Sequence, residues 1–185
     1  MIQVELAPEP AEFDARVRQR GAAALLELTG QPAPTRTGPK RKQTYETIAS
    51  IPAAALPDYW TEFLTELNQA YGHVCAYLSM RVNRGSADHF RPKSRYQQLA
   101  YEWSNLRLAD PTINTAKGNA DDLIDPFEVG DGWFRLHRGT LNVVPRSDLT
   151  SEIHAQVQRT IDILRLNEPT YVAARRAYLD LYLTS

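Results

Sequence analysis

The sequence contains very little cysteine. Its one cysteine, Cys75, can form no disulfide within the chain and cannot supply the several thiolates of a cysteine-rich structural zinc site. Neither sign of charge is in excess, because 21 Lys and Arg stand against 22 Asp and Glu for a formal net charge of −1. A bulk positive field for nucleic acid and an acidic tail are both disfavoured. Any nucleic-acid site must therefore be a local patch.

Long hydrophobic runs are also absent. Nowhere do about 18 apolar residues follow one another, and the opening MIQVELAPEPAEFD lacks the basic and apolar segments of a secretory signal. We therefore expect a soluble, cytoplasmic protein that does not interact with membranes. The length of 185 residues, 43% hydrophobic and 23% charged, favours one domain spanning residues 1–185.

Apolar spacing predicts helices towards both ends of the chain. Residues 10–29 form the first predicted helix and residues 56–71 the second, and each is followed by a glycine suited to ending a helix. Two further helices are predicted from about Asp148, separated by a bend at residues 167–169. The stretch 31–47 is rich in Pro and Thr and predicts a mobile basic connector, whose cations are Arg36, Lys40, Arg41 and Lys42.

The middle of the chain has shorter, β-favouring segments. We predict an antiparallel hairpin from VCAYLSMRV (74–82) and SADHFRP (86–92), and a second from WFRLH and LNVVP around Arg138 and Gly139. Between them, Asp110 and the following proline predict the start of a helix. Strands and helices segregated in this way indicate an α+β fold.

The segment most informative about function is 87–118, ADHFRPKSRYQQLAYEWSNLRLADPTINTAKG. Its Asp88–His89 pair, Asn105 and the Asn114-x-x-Lys-Gly sequence occur in an order that resembles the HNH endonucleases. The resemblance implies a ββα-metal core, with a hairpin, a loop, a short strand and a helix around one divalent ion. It covers most of the chain and is strongest at this motif.

The same residue types suit phosphodiester hydrolysis. Asp88 offers a carboxylate oxygen and Asn114 a carbonyl oxygen, the hard ligands that Mg²⁺ or Mn²⁺ prefers, while leaving room for water and a phosphate oxygen. His89 can take a proton from water near neutral pH. The resemblance gives His89 the same role as general base, and implies that Asn105 hydrogen-bonds the loop backbone and so orients His89.

Cations surround this motif. From Arg81 to Arg95 there are five cations against one acid, a local charge of +4 in an otherwise neutral chain. We expect four residues to contact the phosphates of DNA, or alternatively of RNA: Arg91, Lys93, Arg95 and Lys117. No basic recognition helix is evident, so sequence specificity is expected to be weak or to come from a partner.

The chain departs from the family at its zinc-binding positions. Many relatives carry two Cys-x-x-Cys pairs that hold a structural zinc; here these places read Cys75 and Leu78, then Asp110 and Ile113. We expect no structural zinc, with apolar packing by Leu78 and Ile113 in its place. The three tryptophans are interpreted as core residues rather than as base-stacking platforms.

The resulting hypothesis is a metal-dependent nuclease in three parts. Residues 1–72 hold the N-terminal helices and basic loop, 73–122 the ββα-metal core, and 123–185 the second hairpin and C-terminal helices. The layout resembles the nuclease subunit of Septu-type antiphage systems, which implies an ATPase partner. Two alternatives stay open: a non-catalytic subunit that binds nucleic acid or a partner, and a hydrolase for another phosphoester.

Overall fold

The computed structural model describes residues 1–35 and 44–184. The helices and strands in this part of the chain confirm the α+β class. The helices are α1 (Gln19–Leu28), α2 (Leu64–Ala70), α3 (Pro111–Lys117), α4 (Ser151–Ile163) and α5 (Pro169–Thr184); the strands are β1 (Ser86–His89), β2 (Leu106–Ala109), β3 (Phe134–Leu136) and β4 (Val143–Pro145). The cations predicted for the basic connector, Arg36, Lys40, Arg41 and Lys42, lie outside the described residues.

The two N-terminal helices form largely where the sequence predicts them. A π-helical segment, Asp14–Arg18, leads directly into α1, and Gly30 follows it with a φ of +72°. The second helix is shorter than predicted, because a 3₁₀ segment, Tyr59–Phe63, takes the place of its first turns. Aromatic packing joins the two, since the Phe13 ring lies edge-on to Phe63 with 5.2 Å between centroids.

The predicted pairing of residues 74–82 with residues 86–92 is wrong. Strand β1 pairs instead with β2, antiparallel, with Asp88 opposite Arg107 and His89 opposite Leu106. Residues 74–82 fold back on themselves instead of extending beside β1, with an isolated antiparallel bridge between Val74 and Arg81.

Residues 74–81 instead form a tight reversal, called the knuckle below. The Cys75 amide donates to the Met80 carbonyl at 2.9 Å, the Ser79 amide donates to the Cys75 carbonyl at 2.9 Å, and Ser79 has a φ of +55°. The Ala76 amide donates to the Leu108 carbonyl, so the knuckle is attached to β2. The knuckle therefore sits beside the β1–β2 pair where a third strand would otherwise lie.

Helix α3 follows β2 directly and gives the order β1–β2–α3. Asp110 is its N-cap, and the carboxylate accepts from the amides of Thr112 and Ile113. Pro111 occupies the first helical position, where its missing N–H costs nothing. Gly118, with a φ of +51°, ends the helix.

The remaining predicted elements are confirmed. β3 and β4 pair antiparallel, with Phe134 opposite Pro145, and α4 and α5 follow. One hydrophobic cluster reaches from the N-terminal helices through β2 and α3 to α4. Across residues 1–35 and 44–184, no helix combines the length and apolarity needed to cross a bilayer.

Candidate active site

A pocket of about 250 Å³ opens where the end of β1 meets α3. Both members of the Asp88–His89 pair border it, although neighbours on a strand point to opposite faces, because β1 ends at His89 and the chain bends away. The pocket is lined by Ala53, Trp60, Ala87, Asp88, His89, Pro92, Lys93, Asn114, Gly118 and Asn119. It thus brings together four predicted site residues, Asp88, His89, Lys93 and Asn114, that are up to 26 positions apart in sequence.

The contacts of His89 determine its tautomer. Its Nε2 lies 2.9 Å from the Ala100 carbonyl oxygen. A carbonyl can only accept, so Nε2 carries the hydrogen, and in the neutral ring Nδ1 is then the unprotonated nitrogen. Burial lowers the pKa of His89 to about 4, an effect only partly offset by the Ala100 carbonyl. The ring is therefore neutral at physiological pH, and Nδ1 is its basic atom.

Trp60 limits the orientation of this imidazole. The Trp60 ring meets His89 edge-on, with 4.5 Å between centroids and 87° between planes. The Lys93 ammonium lies 4.4 Å from the Trp60 ring centroid, in a cation–π contact that brings its charge towards the pocket. Trp60 is therefore a wall of the pocket as well as a core residue.

Asn105 ties the loop after β1 to the start of β2. It lies in a 3₁₀ turn directly before β2 rather than within a strand. Its Oδ1 accepts from the Arg91 amide at 2.8 Å, and its Nδ2 donates to the carbonyls of Arg91 and Leu99 at 3.1 and 3.0 Å. Asn105 therefore holds both ends of the loop 90–99, which follows His89 and precedes Ala100.

Asp88 is buried and held by two donors. Lys117 Nζ lies 3.0 Å from Oδ1 and also donates to the His89 carbonyl at 2.8 Å. The Tyr77 hydroxyl donates to Oδ2. The Asp88 and Lys117 side chains are 3% and 0% exposed, so this is an interior ion pair with extra hydrogen bonds.

Asn114 lies on α3 facing the end of β1. Its Nδ2 donates to Ser86 Oγ at 3.2 Å and to the Ala87 carbonyl at 3.4 Å. Because the Ala87 carbonyl requires a donor, the amide nitrogen faces β1 and Oδ1 points the other way. The carbonyl oxygen of Asn114 is thus directed away from the strand.

The side-chain oxygens of Asp88 and Asn114 suit a hard divalent cation that takes few of its ligands from the protein. A carboxylate has about four lone-pair sites, so Asp88 keeps acceptor capacity beyond its bonds to Tyr77 and Lys117. Asn114 adds a neutral oxygen, and Mg²⁺ commonly takes its remaining ligands from water and substrate phosphate. The Lys117 charge opposes the ion, which predicts weak binding in the absence of a phosphate. In the described ranges, no three His, Cys, Asp or Glu side chains form a metal-binding group.

Lys117 is placed differently from the expectation that it contacts phosphate. Its side chain is fully buried behind Asp88, where an ammonium reaches no surface ligand. Arg91 and Arg95 are exposed beside Asp121: Arg91 donates to its carbonyl at 3.1 Å and Arg95 to its carboxylate at 2.8 Å. Lys93 lies 3.7 Å from Asp58 and borders the pocket. The surface cations near the site are therefore Arg91, Lys93 and Arg95.

Protein contacts surround the four positions that the sequence analysis compared with zinc ligands, which are Cys75, Leu78, Asp110 and Ile113. Cys75 Sγ accepts from the Leu78 amide at 3.5 Å and from the Asp110 amide at 3.3 Å. Leu78 and Ile113 are both buried in the hydrophobic cluster. The thiol therefore links the knuckle to the N-terminus of α3, and burial raises its pKa.

Three groups that shape the site were not identified from the sequence. Tyr77 contacts Asp88 from the knuckle, Trp60 contacts His89 from the 3₁₀ segment before α2, and the Ala100 carbonyl holds the imidazole. From the sequence alone, a tyrosine or tryptophan among apolar residues is interpreted as a core residue, and the position of a backbone carbonyl cannot be predicted.

The chain matches no family model and no curated protein in sequence. The case for a function therefore depends on the residues of the pocket.

Proposed function

We propose that this protein is a divalent-metal-dependent endonuclease of the HNH type that hydrolyses phosphodiester bonds in DNA. The observation that carries the proposal is the convergence of His89, Asp88 and Asn114 on one pocket, with the basic Nδ1 of His89 fixed by the Ala100 carbonyl. The order β1–β2–α3 supports it, since this is the order that an HNH core requires.

His89 is the proposed general base. Its Nε2–H is held by the Ala100 carbonyl, so Nδ1 can accept a proton from a water that attacks phosphorus. With a pKa near 4, the ring needs no prior deprotonation at neutral pH, although its basicity is modest. Asn105 keeps the loop around His89 in place through its bonds to Arg91 and Leu99.

Asp88 and Asn114 are the proposed ligands of one Mg²⁺ or Mn²⁺ ion. When bound, this ion neutralises charge on the phosphate and on the leaving oxygen. Asp88 is held by its ion pair with Lys117, and Asn114 by its hydrogen bond to Ser86. Arg91, Lys93 and Arg95 are the proposed contacts to flanking phosphates, since all three reach the surface around the loop.

Plasmid cleavage tests the proposal. Purified protein is incubated with supercoiled plasmid, linear duplex and single-stranded RNA, in Mg²⁺, in Mn²⁺ and with chelator. We expect cleavage only with metal, and a loss of about 10²- to 10⁴-fold in His89→Ala, the usual contribution of a general base. The matched control is His154→Ala, which removes an exposed histidine on α4. Metal-independent cleavage, or equal rates in both variants, would contradict the assignment.

One observation favours a non-catalytic binding subunit as the second candidate. The Asp88 charge is already paired with Lys117 in the interior, as in a site that has exchanged its metal for an internal cation. The two candidates differ in metal binding: the nuclease binds Mn²⁺ and loses it in Asp88→Asn, whereas the binding subunit shows no Mn²⁺ dependence in either form. Cleavage of small phosphodiesters without preference for polynucleotides would indicate the more general phosphoesterase instead.

The proposed setting is bacterial antiphage defence with an ATPase partner. It is supported by the resemblance of the motif and layout to nuclease subunits of Septu-type systems, and by the lack of any evident recognition helix. Co-expression with the ATPase subunit of a Septu-type system tests it. We expect the two proteins to co-purify and to restrict phage together, and we expect restriction to be lost in His89→Ala. Restriction that persists when one of the two proteins is omitted would refute this setting.

A further inference from the structure

Tyr77 is a buried polar residue that the proposed mechanism does not yet use. It comes from the knuckle, its side chain is inaccessible to solvent, and its hydroxyl donates to Asp88 Oδ2 at 2.5 Å. An ionised carboxylate can only accept a hydrogen bond, so the Tyr77 hydroxyl is the donor in this contact.

The two donors to Asp88 divide its oxygens between them. Lys117 takes Oδ1 and Tyr77 takes Oδ2, which prevents rotation of the carboxylate about its Cβ–Cγ bond. Asp88 borders the pocket, whereas the fully buried Tyr77 and Lys117 are not part of its lining. Both donors thus approach from the protein side, and the remaining lone pairs of the carboxylate face the pocket.

The knuckle that carries Tyr77 is fixed to the same elements as the other proposed ligand. Ala76 bonds to β2, and Cys75 Sγ accepts from the Asp110 amide at the start of α3, the helix of Asn114. The positions of Tyr77 and of the Asp88 carboxylate that it contacts are therefore coupled to the position of α3. Groups in this outer layer commonly change metal affinity by about 10- to 100-fold when removed.

We propose that Tyr77 is a positioning residue, which orients Asp88 from the knuckle and thereby sets the affinity of the pocket for a divalent cation. This inference rests on the proposed function, because it assigns Asp88 as a metal ligand. Tyr77 touches neither the metal nor the substrate and acts only through the carboxylate. A purely structural hydroxyl would instead affect folding stability and leave metal affinity unchanged.

The test is a titration of the full chain with Mn²⁺, in wild type and in Tyr77→Phe, which keeps the ring and removes only the hydroxyl. We expect Tyr77→Phe to bind Mn²⁺ about tenfold more weakly. The Mn²⁺ concentration for half-maximal cleavage should rise by a similar factor. Tyr96→Phe is the matched control, since it also removes a tyrosine hydroxyl bonded to an aspartate, here Asp121 at 3.1 Å, which is not a proposed metal ligand.

Each outcome separates the inference from the proposed function. If wild type binds Mn²⁺ and Tyr77→Phe binds it with equal affinity, the inference is overturned and the proposed function is not. Failure of Tyr77→Phe to fold, or a lower maximal rate with unchanged Mn²⁺ dependence, shows a structural role and also overturns it. Absence of Mn²⁺ binding in wild type, measured with and without a DNA oligonucleotide, overturns the proposed function and the inference with it.

Discussion

At the scale of single residues, His89 shows how burial fixes a protonation state. In the folded protein its pKa is about 4, whereas an unperturbed histidine titrates near 6.5. Between these two values the unfolded chain takes up a proton and the folded chain does not. The stability that follows is fully present above pH 6.5 and is lost as the pH falls towards 4.

This linkage predicts a measurable acid sensitivity. Wild type should lose on the order of 3 kcal/mol between pH 7 and pH 4 through His89 alone. Denaturant unfolding of wild type and His89→Asn over this range isolates the effect, since the other titrating groups are common to both. We expect a flatter pH dependence in His89→Asn but not in His154→Asn, whose histidine is exposed. Parallel curves for wild type and His89→Asn would refute this account.

Lys117 provides the second prediction at this scale. Among the residues that the structure describes, Lys117→Met leaves the buried Asp88 charge with Tyr77 as its side-chain donor. Removing one partner of a buried ion pair typically costs about 3–5 kcal/mol. Lys93→Met is the control, because its ion pair with Asp58 is longer, at 3.7 Å, and partly exposed; with the cation–π contact to Trp60 also lost, the predicted change is about 1–2 kcal/mol. Urea unfolding at pH 7 measures both, and similar losses would contradict the prediction.

At the scale of elements, helix α3 depends on its N-cap. Asp110 accepts from the Thr112 amide at 2.9 Å and from the Tyr171 hydroxyl at 3.3 Å, so one carboxylate anchors α3 and joins it to α5. Asp110→Ala should cost about 1–2 kcal/mol in unfolding free energy. It should also weaken Mn²⁺ binding, because α3 carries Asn114.

The control for the cap is Asp110→Asn. Asparagine caps helices about as well as aspartate, so thermal and denaturant unfolding should change little in this variant. Asp110→Asn also keeps an acceptor for Tyr171. If Asp110→Asn were as destabilising as Asp110→Ala, the charge rather than the cap would be the stabilising feature.

The elements also show how far the sequence specifies the fold. Local signals predict α1, α3, α4, α5 and the β3–β4 hairpin, because each depends on spacing, caps or turns within about 20 residues. The pairing of β1 with β2 accompanies the reversal at residues 74–81, whose hydrogen bond to β2 the local pattern does not encode. A β-favouring run such as 74–82 fits a strand and a buried reversal equally well.

The candidate site divides in the same way. The proposed ligands and base, Asp88, Asn114 and His89, can be recognised from the sequence because their chemistry is carried by the side chains themselves. Their partners Tyr77 and Lys117 cannot be recognised in this way, since a tyrosine is interpreted as a core residue and a lysine beside a basic motif as a surface contact. Only the three-dimensional arrangement shows that Lys117 is buried with Asp88.

At the scale of the whole molecule, the charge distribution limits how nucleic acid can be bound. The formal net charge is −1, so long-range attraction to DNA is weak and affinity must come from the cations around the pocket. Of these, Arg91 and Arg95 already interact with Asp121, and Lys93 with Asp58. Each must exchange a protein acceptor for a phosphate, which favours modest affinity and few ionic contacts.

A shallow salt dependence follows. If Arg91, Lys93 and Arg95 contact three phosphates, log K against log salt should have a slope no steeper than about −3, at about 0.9 per contact. Fluorescence anisotropy with a labelled duplex and the His89→Ala protein measures this slope without cleavage. Arg95→Ala should make it shallower by about one contact. Arg138→Ala, on the turn between β3 and β4, should leave it unchanged, and a slope much steeper than −3 would place DNA on a different surface of the protein.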